Sequence, residues 1–210
     1  MTTIYLDAGH GGINPQTEEY KALAGGKFYT HPTGIFHKGT TFLEGVFNRD
    51  LALRIEQQLA AKNIRVVRVY SDWIDTPLGA RCRIANADYQ AHKDGYLVSI
   101  HANASTNGKA RGFSVWTTQN TGKADILAQR IFDAVKAAAI LPMREDKSDG
   151  DSDYEANFQM LRDTAMPAVL IETAFFDNYQ DASILIDKNQ QQKIAIAIVA
   201  GILNHINQAV

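Results

Sequence analysis

Short apolar runs alternate with helix-period segments along the chain, and that alternation is the tightest constraint on its fold. Thr3 to Ala8, Ile64 to Tyr70, Tyr96 to Ile100, Phe113 to Thr117 and Ala168 to Ile171 read as strands, rich in β-branched and aromatic residues. Phe158 to Leu161 is expected to add a short one. Between them, Gly45 to Lys62 sets Val46, Leu51, Ile55 and Leu59 at helical spacing. Thr76-Pro77 opens a second helix through about Tyr89, Gly122 to Ala139 forms a third, and two more, about 180–187 and 190–207, close the chain. Strands that are apolar throughout must be covered on both faces. The expected class is therefore α/β: a three-layer domain with a twisted, mostly parallel central sheet of about six strands flanked by about five helices.

Length and charge narrow the choice further. At 210 residues the chain is expected to form one domain, 1–210, with a sizeable core. A net charge of -2 gives no basic footprint for nucleic acid or an anionic membrane, so neither is expected as a partner. The single cysteine, Cys82, excludes an intramolecular disulfide and any multi-cysteine metal cluster. A metal would have to be held by histidines and carboxylates. MTTIYLDAGHGG lacks the basic and cleavage regions of a signal peptide, and the longest apolar helix segment, Ile194 to Leu203, is too short to span a bilayer. Synthesis in the cytoplasm is expected, and a monomer.

Three of the most apolar strands end in an ionisable residue: His10 after IYLDAG, His101 after YLVSI and Glu172 after AVLI. Ligands of open α/β sheets bind outside the carboxyl ends of the strands, so these side chains are placed to converge. Glu44, at the start of the first long helix, can turn toward the same edge. Two histidines and one glutamate are the ligands of a catalytic zinc that keeps a fourth position for water, and a remaining carboxylate then serves as base. Spacing alone leaves other readings open. Either histidine can be a structural hydrogen-bonding residue, Glu44 a helix-start carboxylate favoured by the dipole, and Glu172 a buried group in need of a partner.

The blocks MTTIYLDAGHGG, LEGVFNRDLALRIEQQL, RCRIANADYQAHKDGYLVSIHANAS, ARGFSVWTT and MPAVLIETAFFDN resemble, in order, those of the zinc-dependent N-acetylmuramoyl-L-alanine amidases of the type-3 family. On that resemblance His10, Glu44 and His101 match the Zn2+ ligands, and Glu172 matches the catalytic glutamate. The implied substrate is peptidoglycan, with its muropeptides as partners. The implied reaction cuts the amide between the lactyl group of N-acetylmuramic acid and L-alanine. Such an enzyme would act on the cell wall after release or delivery, as an endolysin or a phage-like tail component does. A zinc peptidase acting on the stem peptide and a non-catalytic wall-binding module are the competing functions. A dinucleotide site fails because DAGHGG lacks the full glycine spacing.

Two departures from the family stand out. Ala8 occupies a position where proline is usual, and residues 13–43 form an insertion carrying Tyr20, Phe28, Tyr29, His31, Phe36 and His37. That segment is expected either to wall the substrate cleft or to pack down as a hydrophobic satellite. Arg81, Asn86 and Asn103 are read as structural, Asn178 as a helix cap, and Asp7 as either a support for the metal ligands or a turn residue. Cys82 is read as an inert thiol, Trp73 and Trp116 as packing residues, and His92 and His205 as exposed.

Overall fold

A computed structural model describes residues 2–119, 122–148 and 150–208. Six strands form one sheet in the order β4-β1-β5-β8-β6-β7. These are β1 (Thr3–Ala8), β4 (Arg65–Arg68), β5 (Gly95–Asn103), β6 (Ser114–Thr117), β7 (Tyr154–Glu155) and β8 (Ala168–Phe175). Neighbouring pairs run parallel except β6 against β8. Six helices accompany them: α1 (Glu44–Ala60), α2 (Leu78–His92), α3 (Lys123–Ala138), α4 (Gln159–Arg162), α5 (Tyr179–Ile186) and α6 (Lys188–Gln208). None is long and apolar enough to cross a membrane.

Strand periodicity divides the core. Ile4, Leu6, Val98, Ile100, Val169 and Ile171 point to one face, where they pack with residues of α1, α3, α5 and α6. Tyr5, Leu97, Ala168 and Leu170 point to the other, against Cys82, Ala85, Met160 and Leu161 of α2 and α4. The crossover β1-α1-β4 moves to one side of β1, and β4-α2-β5 returns to the other. Keeping both crossovers right-handed puts α1 and α2 on opposite faces. β1 lies where these two directions part, the crevice position at which α/β sheets bind ligands.

Two expectations need correction. Phe158 to Leu161 is not a strand: Leu161 N–H and Arg162 N–H donate to the Phe158 carbonyl, which closes the single turn of α4. Its two buried residues, Met160 and Leu161, are adjacent in sequence and cover the sheet from outside. Within the 13–43 insertion, β2 (Phe28–Thr30) and β3 (Thr41–Leu43) pair antiparallel as a separate ladder. β5 and β8 also run beyond His101 and Glu172, with a register shift between His101 and Asn103. Both residues therefore stand inside paired strands near the carboxyl edge rather than at the last residue.

Candidate metal centre

Each side chain of the centre is set by a local feature of the chain. His10 follows β1 with φ 62°, a left-handed conformation uncommon for a residue with a side chain. Its carbonyl accepts from Arg49 Nη2 at 2.7 Å and from Arg81 Nη2 at 3.0 Å, which holds the turn in that conformation. His101 lies on β5 directly beside Glu172 on β8, and Ser114 on β6 is the next partner across. His101, Glu172 and Ser114 therefore form one row on one face of the sheet. Glu44 is the first residue of α1, fully buried, with its backbone N–H donating to the Lys27 carbonyl. A Cβ at Gly9 would collide with the His101 ring, and one at Gly45 with the Gly11 carbonyl. Glycine at both positions lets the turn, the helix start and the imidazole close on each other.

Three of the four sequence-identified residues meet, and the fourth, Glu172, is paired beside His101. Glu44 Oε1 stands 3.1 Å from His101 Nδ1, and Glu44 Oε2 stands 3.3 Å from His10 Nε2. The histidine rings meet edge to face with centroids 5.1 Å apart. One ligand atom from each of His10, Glu44 and His101 falls within 4.8 Å of the others. His10 Nε2 and Glu44 Oε2 are buried without a hydrogen-bond partner, as is Glu172 Oε2. Orphaned polar atoms of this kind are costly, and a bound cation resolves the cost. A tetrahedral ion with bonds of about 2.0–2.1 Å has ligand–ligand edges of roughly 3.3 Å, which the two Glu44 contacts approach. The nitrogen–nitrogen–carboxylate set and its spacing fit a metal ion.

Electrostatics separates the two glutamates. Burial opposes ionisation of Glu44, but the contacts and charges of His10 and His101 overcome it and hold the carboxyl well below its usual range. Burial likewise works against the His101 cation, yet its contact with Glu44 raises its pKa. At Glu172 burial dominates and pushes the carboxyl up to about 7; Glu44 adds to the push, while His101 and Lys27 oppose it. One carboxyl is thus held charged against the histidines, whereas burial drives the other toward its neutral form.

Three contributors escaped the sequence reading. Lys27 Nζ lies 3.7 Å from Glu44 Oε2, from a stretch with no periodicity to mark it. Asn48 Nδ2 donates to the Gly9 carbonyl at 3.1 Å and approaches Glu44 Oε1 at 3.4 Å. It sits four residues after Glu44 on α1, a helical spacing that could have marked it. Arg49 binds the carbonyls of Gly45, Ser71 and Ile74 in addition to that of His10.

The remaining residues behave structurally. Arg81 is wholly buried on Asp7 and on the carbonyls of Ala8 and Thr76, and Asp7 also accepts from Ser99. Asn86 ties α2 to the Asp163 carbonyl and the Ala165 N–H. Asn103 Oδ1 accepts from Ala104 N–H, and Asn178 caps α5 by accepting from Gln180 and Asp181 N–H. Cys82 is buried against α4, and Trp116 stacks on Tyr154. Trp73 is partly exposed. His31 contacts the Phe176 carbonyl and His37 accepts from Leu43 N–H, so neither belongs to the metal cluster. His92 is exposed as expected. His205 is not: it is buried on α6 with its ring edge-on to Tyr96, because its helix face turns onto the sheet.

The aromatic insertion packs down only in part. Phe36 and His31 pack down as a stacked pair beside Tyr179, whereas Phe28 and Tyr29 on β2 remain exposed.

Known proteins resemble the chain in sequence and in fold. N-acetylmuramoyl-L-alanine amidase AmiC of Neisseria meningitidis serogroup B is 27% identical over 99% of the chain and 53% of its own length. An uncharacterized cell wall amidase of Bacillus anthracis is 30% identical over 97% of the chain and 35% of its own length. The chain thus spans about half of the first relative and about a third of the second. Among solved structures, an N-acetylmuramoyl-L-alanine amidase of Clostridium difficile 630 superposes with a TM-score of 0.76 at 26% identity, covering 98% of this chain and 97% of that one. The catalytic domain of CwlV from Paenibacillus polymyxa var. colistinus gives 0.72 at 26% identity, covering 99% of each. Residues 4–204 match the family model described as N-acetylmuramoyl-L-alanine amidase, and the chain belongs to that family.

Proposed function

We propose that the chain is a zinc-dependent N-acetylmuramoyl-L-alanine amidase that acts on the cell wall, hydrolysing the amide between the lactyl group of N-acetylmuramic acid and the first L-alanine of the stem peptide. The observation that carries the reading is the pairing of a three-ligand cluster with a fourth, separately tuned carboxyl on the adjacent strand. Residues 1–210 act as one catalytic domain, with 13–43 inserted beside the site.

His10, Glu44 and His101 would hold the zinc, which when bound supplies a Lewis acid for the scissile carbonyl and lowers the pKa of water. Glu172 takes a proton from the attacking water as the oxygen–carbon bond forms. It returns that proton to the leaving nitrogen as the carbon–nitrogen bond breaks. Asn48 and Arg49 keep Glu44 and the His10 turn in place, and Lys27 adds a positive charge beside the cluster.

Glu172→Gln tests the assignment. The variant is expected to keep one zinc per chain while its kcat falls by about 10²–10⁴-fold. Turnover near the wild-type rate would remove Glu172 from the reaction.

A further inference from the structure

A second cluster lies away from the His10 centre, at the β7 edge of the sheet. Asp151, Asp153 and Glu155 each place a carboxylate oxygen within 4.8 Å of the others. Two oxygens sharing a calcium ion at about 2.3–2.6 Å can be no farther apart than roughly that distance. The cluster is built where the bend at 151–153 runs into β7.

Burial makes this more than an acidic surface. Asp153 is 1% exposed. Its Oδ2 accepts from Thr117 Oγ1 at 2.6 Å, but Oδ1 is buried without a hydrogen-bond partner. A buried carboxylate oxygen with no donor is missing a positive group. Asp151 also lines a surface cavity of about 630 Å³ together with Gly122, Asp125 and Arg130.

We propose that Asp151, Asp153 and Glu155 form a binding site for a hard divalent cation of the calcium type, separate from the His10 centre. The ion would supply the partner that Asp153 Oδ1 lacks. It would fasten the acidic loop to β6 through Thr117, whose neighbour Trp116 pairs with Tyr154 in the two-residue strand β7. All-oxygen coordination by carboxylates favours calcium over zinc. This site does not depend on the amidase assignment.

Terbium is the probe. The indole of Trp116 stacks on Tyr154 at 4.7 Å between centroids, placing a sensitiser beside the cluster. Excitation of the full-length protein should give terbium emission that millimolar calcium displaces and that His10→Ala leaves unchanged. Asp153→Asn should weaken terbium binding about tenfold or more, and the less buried Asp151→Asn should do the same if Asp153→Asn misfolds. Calcium should raise the Tm of the wild type and not of these variants. Absence of sensitised emission, wild-type binding in both asparagine variants, or emission lost in His10→Ala would each overturn the proposal.

Discussion

Arg81 Nη1 donates to Asp7 Oδ1 at 2.6 Å between two wholly buried side chains, and the same guanidinium reaches the His10 carbonyl through Nη2. A charge pair under the sheet edge is thereby connected to the turn that carries a candidate ligand. Arg81 Nη2 also pairs with Asp75 Oδ1 at 2.9 Å, so removing Asp7 takes away one of two carboxylate partners of a buried guanidinium and a charged hydrogen bond with it. Asp7→Ala is expected to lower the unfolding free energy by about 1.5–3 kcal/mol in urea denaturation. A loss near zero would show that the pair contributes nothing to the fold.

Gly9 and Asn48 should act on metal affinity. Any side chain at Gly9 meets the His101 ring, and Asn48 joins the Gly9 carbonyl to Glu44. Gly9→Ala and Asn48→Ala are each expected to weaken zinc binding by about 10–100-fold in competition with a fluorescent chelator. Unchanged affinity with intact circular dichroism would contradict the roles given to these residues.

Much of the site was readable in the sequence because its four central residues lie within or directly beside elements with strong periodicity. His10, His101 and Glu172 accompany apolar strands, and Glu44 opens an amphipathic helix. What the sequence hid depends on tertiary contact. Lys27 comes from a segment without a period, and Ser114 reaches the row only through the β6–β8 register. Phe158 to Leu161 misled because a four-residue stretch, apolar except for Gln159, has no period long enough to separate strand from helix. His205 misled because a polar residue on a mostly apolar helix gives no sign of which face is covered.

Acid should weaken one tie in a definite direction. Asp88 is held down to about 2, first by its hydrogen bonds from Arg65, both at 2.7 Å, with Tyr5 Oη adding another against the pull of burial. Because the folded value lies below the unfolded one of about 3.9, the contribution is complete above that pH and is lost as pH falls toward 2. The stability gap between wild type and Asp88→Asn should therefore be widest above pH 4 and close toward pH 2. The pair is partly exposed, so salt should narrow the gap as well. A gap that grows on acidification would contradict the assignment.

The insertion's two halves should separate under mutation. Phe36 is buried against His31 and Phe42, so Phe36→Ala is expected to cost about 3–5 kcal/mol of stability. Phe28→Ser with Tyr29→Ser, on the exposed strand, should leave the Tm within a few degrees and lower kcat/KM on intact walls. If the double variant cleaves walls as the wild type does, β2 forms no part of the substrate cleft.

The central claim concerns which bond is cut, and mass spectrometry of digested peptidoglycan reads it directly. The account predicts intact stem peptides that begin with a free L-alanine amine, together with glycan strands carrying a free lactyl carboxyl. Products cut within the stem peptide, with the lactyl–alanine amide preserved, would contradict it.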